Sequence, residues 1–407
     1  NEDVLVECSR VLTATISSNH RLTPAGEWLL DNFYLIDEQI RTAKRHLPQG
    51  YSRELPRLSD GASSGLPRVY DIALENIAHG DGRVDPDSLS RFVTAYQTVT
   101  PLKLGELWAI PIMLRLALIE NLRRIAARIT ADKIDQDLAD TWATRMVEAA
   151  EQDPKSLILV IADMARSNPP MTTPFVAELV RRLQWQSAAL GLPLSWIEQL
   201  LAESHLTIEQ LVQIESQQQA ADQVSIGNSI GSLRFLGSMD WEEFVENMSV
   251  VEQALIDDPA GAYSEMNFAT RDRYRHVVEK IAKYAPYSEG EVAQLAVQLA
   301  QAGAEQHGSD DRTAHVGFYL IDAGLPQLEQ AAQVRLPLLT RAHRLVCSLP
   351  LLSFVGGITF LTLLFTGGLL LQARAEGLQG WGLALLGILF VVGTSYLSVA
   401  LVNWLAT

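Results

Sequence analysis

Cysteine is nearly absent. The 407 residues hold two, Cys8 and Cys347, and no CxxC pair. That excludes a disulfide framework and thiolate zinc sites, and leaves two ordinary reduced thiols. Positive charge is also short: 32 Lys and Arg stand against 48 Asp and Glu, a formal net charge of −16. Unspecific binding to a phosphate backbone is therefore disfavoured, since that affinity comes from Lys and Arg. Segments that alternate with period two are missing, so no sheet is expected. No P-loop, no glycine-rich strand–loop–helix unit, no GxSxG elbow and no HExxH occurs. The eight histidines (20, 46, 79, 205, 276, 307, 315, 343) are scattered without metal-ligand spacing. With 48% hydrophobic residues, 26 Gly and 17 Pro, the chain is neither disordered nor collagen-like.

Charge is missing altogether from two stretches, Leu345 to Gln372 and Gly377 to Thr407. Each exceeds the roughly 20 residues that a helix needs to cross the hydrocarbon core. Ala373, Arg374, Ala375 and Glu376 separate them, which predicts a helical hairpin of two membrane spans, about 346–372 and 378–405. The mean hydropathy of +0.08 is an average over this hairpin and an acidic remainder. Arg374 and Glu376 cancel, so the whole −16 belongs to the residues ahead of the spans. Arg335, Arg341, His343 and Arg344 precede the first span and place residues 1–344 on the cytoplasmic side. The first twenty residues lack the apolar core of a signal sequence. The chain opens at Asn1 without Met and closes at Thr407 on an apolar run, so it is expected to be a piece of a longer protein.

Ahead of the spans the pattern is helical. Residues 23–46 carry Trp28, Leu29, Phe33, Ile36 and Ile40 at helical spacing behind a Thr23-Pro24 start. Pro48-Gln49-Gly50 ends that helix, and residues 51–67 read as loop. Further helices fit 68–79, 104–129 (with a Pro111 kink), 131–151, 154–167, 173–190, 193–203, 207–222, 223–236, 240–255, 268–284, 288–305 and 309–323. Asp85-Pro86 starts another, with Asp at the cap and Pro at the first helical position. The expected fold is therefore all-α: an irregular multi-helix cytoplasmic domain over 1–344, as a bundle or degenerate solenoid, then the hairpin over 345–407. Subdivisions near 130 and 222 are expected within the first domain.

Few residues suggest chemistry. Asp85/Asp87 and Asp135/Asp137 have the D-x-D spacing that holds a divalent metal on a diphosphate. That chemistry needs a loop at a strand end, whereas Asp85 is a helix cap and the second pair lies within a helix. Arg271-Asp272-Arg273-Tyr274-Arg275-His276 is the most basic local cluster. Arg271, Arg273, Tyr274 and Arg275 are candidates for contact with an anion such as a diphosphate, against a plainer reading as helix-packing charges paired with Glu279 and other helices. Aromatics that could cluster on a face are Trp28, Tyr34, Tyr51 and Tyr70, or Tyr263, Tyr274 and Tyr319, against a plainer reading of most of them as core.

Five blocks carry a resemblance: WLLDNFYLIDEQI (28–40), LPQGYSRELPRL (47–58), RFVTAYQTVTPLKLGELWAIPIMLRLALIENLRR (91–124), DPAGAYSEMNFATRDRYRHVVEKIA (258–282) and AHVGFYLIDAGLPQLE (314–329). They resemble the N-terminal region of cyclic β-1,2-glucan synthases, large multi-span inner-membrane proteins of Gram-negative bacteria. VNWLAT (402–407) resembles the family segment that ends a span just before the glycosyltransferase domain. The resemblance is weakest between about 130 and 220. It implies a protein that polymerises glucose from UDP-glucose into a β-1,2-glucan, with Mg or Mn in a transferase domain beyond this chain. That domain, the membrane, UDP-glucose and the glucan are the implied partners, and nucleic acid is not among them. The transferase motifs are absent here, so no catalytic, cofactor or metal residue is carried over. The segment is expected to be non-catalytic and to support the transferase. The alternatives are a membrane-anchored interaction scaffold and a glucan-binding helical domain.

Overall fold

The computed structural model describes residues 2–17, 22–47, 51–61, 63–184, 186–202, 205–337 and 350–406. Arg341, His343, Arg344 and Cys347, and the Pro48-Gln49-Gly50 break, lie outside the described residues. The fold is all-α. Among the described residues there is no strand, and one isolated antiparallel bridge joins Arg57 to Pro67. The chain packs as two units, Asn1–Glu279 with Glu289–Leu328, and Lys280–Ser288 with Glu329–Thr407.

The first unit opens with α1 (Glu2–Ser17), α2 (Pro24–Asp31), α3 (Phe33–His46) and the short α4 (Tyr51–Glu54). Cys8 lies buried inside α1. Leu5, Cys8, Leu12 and Thr15 form its buried stripe at helical spacing. The single helix expected over 23–46 is two, because the chain turns at Asn32. The Asn32 amide donates to the Trp28 carbonyl at 2.9 Å and accepts from Arg234 at 2.8 Å.

Next come α5 (Arg68–His79) and α6 (Pro86–Gln97), capped by Asp85, whose carboxylate accepts from the Ser88 N–H at 3.0 Å. The following helix, α7 (Leu104–Gln152), runs for 49 residues without the break expected at 130. No Gly or Pro lies between Pro111 and Pro154 to stop it, and the Thr130 hydroxyl bonds back to the Ala126 carbonyl at 2.8 Å. Its first N–H groups are met by carboxylates. Lys103 N–H donates to Glu106 at 3.0 Å and Leu104 N–H donates to Glu289 at 2.8 Å. Burial pushes the Glu289 carboxyl up, with the Leu104 N–H opposing.

Then follow α8 (Leu157–Ser167), α9 (Thr173–Leu183), α10 (Gly191–Ala202) and α11 (Ile208–Phe235). α11 also runs through the break expected at 222; Thr207 starts it as a capping box with Gln210. The helix expected over 240–255 divides at Ser249 into α12 (Trp241–Met248) and α13 (Val250–Leu255), because the Ser249 hydroxyl caps the second at 3.2 Å. α14 (Phe268–Ala282), α15 (Glu289–His307), α16 (Val316–Ile321) and α17 (Leu325–Ala331) complete the series.

Two apolar cores result. One gathers Leu5, Leu29, Ile36, Leu107, Leu118 and Ile129 with Ile226, Ile230 and Leu233. The other gathers Ala139, Trp142, Met146, Phe175, Leu179 and Ile197 with Ile208 and Leu211. α7 and α11 contribute to both. The change of core falls between Ile129 and Ala139 on one helix and between Leu211 and Ile226 on the other.

In the second unit, α18 (Pro350–Ala375) and α19 (Trp381–Ala406) form an antiparallel hairpin. Both are long and apolar enough to cross a membrane. The turn lies at 376–380, a few residues later than expected. Gly377 and Gly380 supply positive φ there, and Leu378 N–H reaches back to the Ala373 carbonyl at 3.2 Å. Thr366 and Thr394 share a buried hydrogen bond of 2.8 Å across the pair, and Gly387 packs against Leu370.

Candidate functional site

The basic cluster on α14 is drawn into a charge network. Ser249 and Asp240 fix the starts of α13 and α12 and so bring Glu252 and Glu246 together. Arg271 and Arg275 lie four apart on α14 and share one face. Arg275 is 0% exposed; it donates to Glu252 at 2.5 Å, to Glu246 at 2.9 Å and to Asp272 at 3.3 Å. Arg271 donates to Glu246 at 2.8 Å and to Glu252 at 3.3 Å. The Tyr263 hydroxyl donates to Glu252 at 2.6 Å, and burial pushes that phenol up. Burial opposes the Arg275 charge, yet Glu246 and Glu252 hold its pKa above the usual value. The partners are Glu246, Glu252 and Asp272 rather than the expected Glu279. Arg273 is exposed, and Tyr274 is buried against Tyr263 and His315.

A second buried carboxylate ties this region to α16. Asp258 accepts from Val316 N–H at 2.9 Å, Tyr263 N–H at 3.2 Å and the His315 Nδ1 at 2.8 Å. Burial pushes the Asp258 carboxyl up, but these donors hold it below its ordinary value. A Cβ on Gly317 would fall 2.5 Å from the Tyr274 hydroxyl and 2.6 Å from His315 Nε2, so a larger residue there would have to push both rings aside. Asp258 and Tyr263 lie in one of the resembling blocks and His315 to Tyr319 in another; folding brings the two blocks together. The groups neutralise one another, and a diphosphate reaching Arg271 or Arg275 would have to displace carboxylates that are already in place.

The D-x-D pairs take structural roles: Asp85 is a cap, Asp135 accepts from the Thr172 hydroxyl at 2.7 Å and Asp137 pairs with Lys133 at 2.7 Å. Among the described residues no group of three or more His, Cys, Asp or Glu is arranged to hold a metal ion. Of the aromatic candidates, Tyr263, Tyr274 and Tyr319 are core residues, whereas Trp28 is 47% and Tyr34 is 66% exposed. Tyr70 is half-buried, and the Tyr51 side chain lies outside the described residues.

A concave feature that sequence reasoning missed is a groove of about 710 Å³ between α7, α9 and α11 with the start of α2 at its edge. Lys133, Gln136, Asp140, Arg181, Arg182, Gln184, Glu215, Ser216 and Gln219 give it a polar lining. Beside it a cavity of about 10 Å³, the size for one water, is lined by Asp132, Glu215 and Asp222. Asp132 has no ion-pair partner among the described residues. Burial, with Glu215 and Asp222 nearby, pushes its carboxyl up to about 6. The sequence held a signal for this place: Glu215 and Asp222 sit on the stripe that joins Leu211 to Ile226 on α11, where apolar residues were due.

Fold and site together define an all-α protein with a polar groove, a self-neutralised charge network and a pair of membrane-length helices. No protein-family model matches the chain. It is 30% identical over 301 residues to the cyclic beta-(1,2)-glucan synthase NdvB of Rhizobium meliloti (strain 1021), covering 74% of this chain and 10% of that protein. The chain is thereby related to the cyclic β-(1,2)-glucan synthase family, and it spans about a tenth of the length of the curated relative it matches.

Proposed function

We propose that the chain is the helical, membrane-anchoring segment of a cyclic β-1,2-glucan synthase and supports polymerisation of glucose from UDP-glucose by a transferase domain elsewhere in the protein. The observation that carries this reading is the match to NdvB over most of the chain. The segment is itself non-catalytic; a divalent metal, Mg or Mn, works with the transferase domain. The protein resides in the bacterial inner membrane, with residues 1–344 cytoplasmic and the hairpin as anchor.

The hairpin's surface supports the anchor. Leu363, Leu371, Ile388 and Leu389 are 65–70% exposed, which suits lipid and would be costly in water. Trp381 and Trp404 are also exposed near the two ends of α19. They stand about 34 Å apart at 1.5 Å per residue, the placing of interfacial aromatic belts.

Deletion of residues 1–340 from the full protein tests the support role. Glucose transfer from UDP-glucose, assayed in membranes, is expected to fall at least about tenfold while the truncated protein still fractionates with membranes. Full activity in the truncated protein would overturn the reading.

A further inference from the structure

We propose that the groove between α7, α9 and α11 is a binding site for a neutral oligosaccharide, specifically a short stretch of β-linked glucosyl chain. The choice of glucose rests on the function proposed above; the choice of a neutral, hydroxyl-rich ligand rests on the groove itself. Its volume, about 710 Å³, falls in the range of roughly 300–1,000 Å³ typical of ligand sites.

The charges along the walls are spoken for. Lys133 pairs with Asp137 at 2.7 Å, Arg182 with Asp140 at 2.8 Å, and Arg181 with Glu178. Among the described lining residues every cation has a carboxylate partner and none is aromatic. These residues offer a sugar nucleotide neither a free cation for its phosphates nor a ring for its base to stack on. What the walls do offer is neutral. The side chains of Gln136, Gln184 and Ser216 make no hydrogen bond to another described residue. Gln219 donates to Glu215 at 2.7 Å and keeps its carbonyl oxygen for another donor. An amide supplies both donor and acceptor, the match for hydroxyls that are each donor and acceptor. Leu22 and Val212 add apolar surface for the C–H faces of a pyranose ring.

The test uses the whole chain in lipid nanodiscs, with linear β-1,2-linked glucose oligomers, maltooligosaccharides, UDP-glucose and an extended neutral peptide as probes. Titration calorimetry and saturation-transfer NMR report binding. The β-1,2 oligomers are expected to bind with Kd of about 1 mM or tighter. Gln136→Leu and Gln184→Ala, whose side chains hold up no other described residue, are each expected to weaken that binding about fivefold with an unchanged melting temperature. Absence of oligomer binding, indifference of binding to both substitutions, or preference of the groove for UDP-glucose or the peptide would each overturn the site. The outcome is separable from the support role. If truncation abolishes glucose transfer but no oligomer binds, the groove falls and the support role stands; if oligomers bind and truncation leaves transfer intact, the groove stands alone.

Discussion

Asp132 shows how one side chain sets a local pH dependence. It faces Arg128, Lys133 and Asp135 on its own helix and Glu215 and Asp222 on α11, where Asp222 is already paired with Arg128. Its carboxyl is raised to about 6 in the folded chain, above the unfolded value of about 4. The folded state thus holds this proton more tightly. Stability from Asp132 is highest below about pH 4, declines as pH rises to about 6 and is flat beyond. Asp132→Asn is expected to stabilise the chain at pH 7 by on the order of 1 kcal/mol, after discounting for partial exposure, and to have little effect at pH 4. Urea unfolding of both proteins at the two pH values checks this, and an equal effect at both would count against it. Nothing in the local sequence marks Asp132, because its neighbours Glu215 and Asp222 arrive from a helix some ninety residues on. Arg275 teaches the same lesson in reverse. Its charge was legible, but its burial among Glu246, Glu252 and Asp272 depends on where α12 and α13 place their carboxylates.

At the scale of elements, the starts at Thr23-Pro24 and Asp85-Pro86 were read well, and continuity was read poorly. Asp85-Pro86 starts α6 as expected because its signal is local: a short carboxylate and a preset φ. At the stops expected near 130 and 222 the apolar pattern changes, but no Gly or Pro is present. The pattern changes there because α7 and α11 pass from one core to the other, and the backbone goes straight on. Ala131→Pro discriminates the two situations. At the first position of a new helix proline is tolerated, whereas inside a continuous one it costs about 3 kcal/mol. Ala131 is exposed, so packing does not enter. The continuous α7 predicts a loss near the larger figure, measured by urea unfolding against Ala131→Gly; a loss below that of the glycine variant would argue for a break.

For the whole molecule, the two units differ in kind. All of the −16 lies ahead of the hairpin, and an acidic surface gains nothing from an anionic leaflet. In the anchoring role proposed above, attachment would come from apolar area, which α18 and α19 offer. The pair of apolar helices was visible in the sequence because uncharged length is a one-dimensional property, while the groove was not because it needs three helices in register. The sidedness proposed above rests on the basic residues before the first span and is open to direct test. In a protein with Cys8 and Cys347 replaced by Ser, a cysteine at exposed Gln379 is expected to react with a membrane-impermeant maleimide in spheroplasts. One at exposed Asp60 is expected to react only after the inner membrane is opened. The opposite pattern would turn the hairpin over and move the helical domain to the other side of the membrane; labelling of both sites before lysis would remove the anchor altogether.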